Sequence, residues 1–154
     1  MQPEWWALLH GFLATVFLMS FSGSFVELIA TNLPSLRRLK IGLSVMAVSS
    51  WAILATGTYA YIFYRAPVAE SARSRILAGP APWVHSVLME LKEFTGAFVP
   101  VIALLAVLLV FSWNNRLITE ARLRRVLGVV MWAAMLWTLL AYGLGAFITK
   151  TASI

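Results

Sequence analysis

The chain has no cysteine. That excludes disulfides, c-type haem attachment, cysteine-held iron–sulfur clusters and thiolate zinc sites. Charge is scarce too: 12% of residues are charged against 61% hydrophobic, where a soluble domain is about a quarter charged and about half apolar. Gly-rich phosphate loops, nucleophile elbows and zinc-protease motifs are missing, which argues against hydrolytic and transferase chemistry. No apolar run carries the spaced arginines of a voltage sensor, and there is no sign of a transporter's inverted halves. Histidine occurs only as His10 and His85.

What is present is apolar sequence in runs of spanning length, which needs about 20 residues each. Four such runs nearly exhaust the chain and predict helices over 5–30, 41–64, 84–113 and 126–148. The expectation is an all-α integral membrane protein, residues 1–154 forming one transmembrane domain, a four-helix bundle of up-down-up-down order because its loops are short. The opening Met1-Gln2-Pro3-Glu4 lacks a basic n-region, so the first run is expected to be a retained span and not a signal peptide. Asn32-Leu33-Pro34-Ser35 breaks the helix after it, and Pro67 is expected to begin a short helix reaching Leu77. Span two is rich in small residues, among them Gly42, Ser49, Ser50 and Gly57, which let helices approach closely in lipid. Pro100 should kink span three.

The formal net charge is +6, but the basic residues stand beside spans, where they set topology and meet anionic lipid heads, so nucleic acid is not expected as a partner. Arg37, Arg38, Lys40, Arg116, Arg122, Arg124 and Arg125 flank two short connections on one side. Arg65, Arg73, Arg75 and Lys150 flank the other, with Lys92 if it snorkels out. The positive-inside tendency then places both termini and the 65–82 connection outside the cytoplasm, in a bilayer such as a bacterial inner membrane.

In an alternating bundle spans one and three run parallel, so His10 and His85, each near the start of its span, lie toward the same outer side. Diagonal helices of a square bundle stand about 11–14 Å apart, a separation that suits two imidazoles clamping one iron. The pair predicts bis-histidine haem b with His10 and His85 as metal ligands. Met89, Lys92 and Gly96 fall within about 40° of His85 on an ideal helix, so Met89 and Gly96 are candidate cofactor contacts, with Gly11, Ala14 and Ala97 beside the slot. Arg73 and Arg75 are candidates to pair with haem propionates. This arrangement looks like that of the small four-helix membrane cytochromes b, a likeness of architecture only.

Two further groups bear on function. Glu93 is a candidate proton acceptor for a quinol, and Tyr59, Tyr61, Tyr64, Thr56 and Thr58 lie at the same depth, placed to hydrogen-bond a quinone. Glu27, one turn from the end of span one, is either a proton site or a partner of Arg37, Arg38 or Arg116. The functional expectation is a haem b subunit in electron transfer, with quinol or an external donor, inside a larger respiratory or photosynthetic complex. The alternative is a non-catalytic transmembrane subunit without a cofactor, glued to other membrane subunits by its small residues and deep tryptophans.

Overall fold

The computed structural model describes residues 3–30 and 35–152. Its long helices are α1 (Pro3–Ile29), α2 (Leu36–Tyr64), α4 (Glu90–Trp113) and α6 (Ala121–Thr151); α3 (Ala72–Ala78) and α5 (Arg116–Thr119) lie in connections. Four stretches are long and apolar enough to cross a membrane, and the described residues contain no strand. Successive spans alternate in direction, which gives the expected bundle.

The ends show where charge is tolerated in a helix. α2 and α6 both begin five residues earlier than their apolar runs, so Arg37, Arg38, Lys40, Arg122, Arg124 and Arg125 lie in first turns and not in loops. Long basic side chains reach from such positions to the headgroup layer. Ser35 caps α2, its hydroxyl accepting from the Arg38 amide, while Asn32, Leu33 and Pro34 lie outside the described residues. The connection after α2 corrects one expectation: Pro67 sits in a turn, and α3 starts at Ala72 because the Ser71 hydroxyl accepts from the Ser74 amide. Gly79 and Pro80 stop it.

Span three opens with π-helix over Val84–Met89 before α4 proper. Its i→i+5 bonding holds more residues per turn than an α-helix, so positions either side of it do not keep the angles of an ideal helix. Pro100 lies buried within α4. Asn114 ends the helix with φ 40° and ψ −120°, and its Oδ1 accepts from Lys40 Nζ at 2.8 Å.

Packing follows heptad seams. Phe17, Phe21, Ser24 and Leu28 of α1, Leu39, Leu43, Met46 and Ser50 of α2, Val99, Ala103, Ala106 and Val110 of α4, and Leu127, Met131 and Ala134 of α6 are all buried. Steps of three and four alternate along each row, as in left-handed bundles. Neighbours in space are α1 with α2, α2 with α4, and α4 with α6; α1 meets α6 more lightly. In lipid these seams are held by close contact more than by exclusion of water. Gly42 lets α1 and α2 pack closely, since a Cβ there would run into the Ser24 hydroxyl. Outward positions such as Phe12, Val48 and Val129 are 64–69% exposed, as residues facing acyl chains should be.

Candidate functional site at the histidine end

Carried toward the end of the bundle that holds both histidines, the seams turn polar. The α1 row 28-24-21-17 arrives at His10, the α2 row at Thr56 and Gly57, the α4 row at Lys92, and the α6 row at Gly145. His10 Nδ1 lies 3.1 Å from Thr56 Oγ1. The Thr56 hydroxyl gives its own proton to the Ala52 carbonyl at 2.8 Å, so it accepts from the ring and Nδ1 carries the proton. His10 Nε2 makes no hydrogen bond among the described residues. The ring rests on Gly57, where a Cβ would stand 3.2 Å from Cε1. Across the bundle the Lys92 stem rests on Gly145 in the same way, 3.1 Å from Cε and 3.7 Å from Nζ. Lys92 is half-buried and makes no ion pair among the described residues.

His85 occupies a different level. Arg73 Nε donates to its Nε2 at 3.1 Å, and its Nδ1 is 3.0 Å from Tyr64 Oη. Arginine can only donate, so Nε2 must accept and the ring proton sits on Nδ1, donated to Tyr64. The Tyr64 ring stacks on Tyr61 with centroids 5.5 Å apart. The Arg65 guanidinium lies 5.4 Å over the Tyr61 ring, and Glu93 stands beside the Tyr61 hydroxyl. Arg73, His85 and Tyr64 are thus joined by hydrogen bonds along the mouth of the bundle, and Tyr61, beside Glu93, stacks on Tyr64.

The structure does not set the two histidines opposite one another. His10 meets α2 at Thr56 and His85 meets it at Tyr64, eight residues further on, about 12 Å along the axis. His85 lies inside the π-helix, on the side of α2 and α3, where it meets Tyr64 and Arg73. Of the other expected contacts, Met89 is buried against Ile148 and Ala152; Gly96 has open space around it and Gly11 faces outward. Arg73 is used on His85, whereas Arg75 is exposed. At the far end Glu27 accepts from the Ser35 amide at 2.6 Å and lies 3.4 Å from Arg38, so it is the partner of an arginine anticipated from sequence. Gly57 and Gly145 were not anticipated. Continuing the buried seams by alternate threes and fours reaches both, and reaches His10 and Lys92 too.

No family model matches this chain, and no curated protein or solved structure does.

Proposed function

We propose that the chain is a membrane subunit of an electron-transfer system that receives a quinol at its histidine end. The observation that supports this is a carboxylate, Glu93, standing at the bundle mouth beside Tyr61, whose ring stacks on that of the His85-bonded Tyr64. Oxidation of a quinol releases two protons and two electrons. Glu93 is the base within reach of a hydroxyl seated there, and Tyr61 and Tyr64 offer hydroxyls that orient it. The electrons leave to a one-electron carrier, either haem b or a redox centre of a partner subunit.

Haem b, where bound, supplies that one-electron step. His10 would be able to hold the haem, since its Nε2 makes no hydrogen bond among the described residues. His85 does not fit it as placed: Arg73 and Tyr64 hold both ring nitrogens, and the imidazole lies about two helical turns from His10. The decisive measurement is an absorption spectrum, with quinol oxidation in parallel, on native membranes before and after removal of this chain. The expected result is loss of quinol oxidation with the chain and a tenfold or greater loss in Glu93→Gln, the scale of one general base. Membranes that oxidise quinol equally well without the chain would overturn the proposal. A haem b band that disappears in His10→Ala assigns the carrier to this subunit, and its absence assigns the carrier to a neighbour.

A second reading, an accessory subunit without a cofactor, is favoured by Trp51 and Trp137, 49% and 38% exposed in mid-span and too deep for an interfacial belt. Such rings suit a neighbouring subunit's helices. Native gels of membranes test it: a chain migrating only as a monomer would sink it.

A further inference from the structure

One level of the bundle is built unlike the rest. Below it the seams are filled by Phe17, Met46, Ala103 and Met131. At this level α1 and α4 contribute His10 and Lys92, α2 contributes Gly57 beside Thr56, and α6 contributes Gly145, each glycine lying against the polar residue of a neighbour. An ammonium inside a spanning bundle is costly unless something meets it. Among the described residues no acceptor is in contact with it: the ion pairs, Glu27 with Arg38 and Arg116 with Glu120, are at the opposite end. Glu93, next in sequence, lies near the ammonium without forming an ion pair with it and stands beside Tyr61. A second donor is stranded nearby. The indole N–H of Trp6, one turn from His10, is buried without an acceptor among the described residues, and its ring lies 4.3 Å from that of Tyr59.

Two donors lacking acceptors, beside the Trp6–Tyr59 ring pair, define what would meet them: a flat, largely apolar group bearing oxygen acceptors. We infer that the quinone ring itself is held here, with Lys92 donating to one carbonyl oxygen and the Trp6 N–H serving as a further donor to the head group. A free anion fits less well, because the Glu93 carboxylate already lies close to Lys92. The inference rests on the quinol proposal above and deepens it: Lys92 binds the ring, and Glu93 handles the proton.

The test is equilibrium binding of a short-chain ubiquinone to the full chain in detergent, for wild type, Lys92→Met, Lys92→Gln, Trp6→Phe and, as a control of equal charge change at the other end, Lys40→Met. Both Lys92 variants should bind about tenfold more weakly or worse, as loss of a charged donor predicts. Trp6→Phe should lose a smaller factor, and Lys40→Met should match wild type. Losing an unpaired intramembrane charge should not hinder folding, and unchanged helical circular dichroism in Lys92→Met and Lys92→Gln confirms it. Wild-type affinity in both Lys92 variants would overturn the inference while leaving the quinol proposal standing. Absence of quinone binding to wild type would overturn both. Displacement by decanoate or inorganic phosphate as readily as by quinone would mark an anion site and overturn the inference.

Discussion

Gly42 and Ser24 meet in the seam between α1 and α2, and each is informative about the other. Ser24 is 3% exposed and its hydroxyl has no partner among the described residues. Ser24→Ala is therefore expected to be neutral or stabilising by up to about 1 kcal/mol, because it removes a buried polar group that gains nothing. Gly42→Leu should force the helices apart at a cost of about 1–3 kcal/mol, read as a lowered unfolding midpoint in mixed detergent. A double-mutant cycle should show coupling between the two sites, since they share one contact; additive costs would show that the helices separate elsewhere. Thr56→Val is the analogous change at the site. It leaves the His10 Nδ1–H facing an apolar group, and about 1–3 kcal/mol of stability should go with it.

At the scale of elements, the connection after α2 depends on one cap. Ser71→Ala should cost α3 about 0.5–2 kcal/mol and, by loosening the helix that carries Arg73, free His85 Nε2. Faster proteolysis within 66–82 would report the first effect. The other connection carries a charge pair. Arg116, bonded to Glu120 at 2.8 Å, holds the Glu120 carboxyl below the ordinary glutamate range. A depressed carboxylate contributes order above its unfolded pKa and loses it as pH falls through the lower folded value. The Glu120 amide, which donates to the Arg116 carbonyl, should exchange faster in acid relative to its intrinsic rate, and Glu120→Gln should remove that dependence. Of these elements, sequence shows which residues begin and end helices poorly. Arginine-rich first turns read as loops because hydropathy, not backbone geometry, marks the apolar run. The π-helix over Val84–Met89 has no sequence signature in these residues, yet it undoes the angular reasoning that joined His85 to Lys92 and Gly96.

The whole molecule was legible in outline because lipid leaves few choices: an apolar run of spanning length must be a helix, and short connections force alternation. What could not be read was which side chains face each other across the bundle, since that depends on the phase of all four helices together. His10 and Lys92 were visible singly; that Gly57 and Gly145 make room for them follows only from the packed seams. Orientation in the membrane remains open to a direct experiment. With no cysteine in the chain, single cysteines at the exposed positions Ala69 and Asn115 can be labelled by an impermeant thiol reagent on intact cells. The excess of basic residues beside the Asn115 connection predicts labelling at Ala69→Cys and none at Asn115→Cys; the reverse would turn the site to the cytoplasm.

The lighter seam between α1 and α6 has a consequence for traffic. Their contacts include Leu28 against Gly128 and Trp132 edge-on to Phe21 and Phe25, all in the half that ends near Glu27. Toward the histidines, Gly11 and Gly143 have no side chain or neighbouring backbone within reach of a Cβ. The named contacts of this seam thus lie toward the Glu27 end, and the exposed positions Gly11 and Gly143, near the depth of Lys92, face the acyl chains. A hydrophobe would arrive sideways, by partition from the leaflet, and its occupancy would follow its mole fraction in lipid and not its concentration in water. Diluting the protein into more lipid at constant total quinone should therefore empty the site proposed at Lys92.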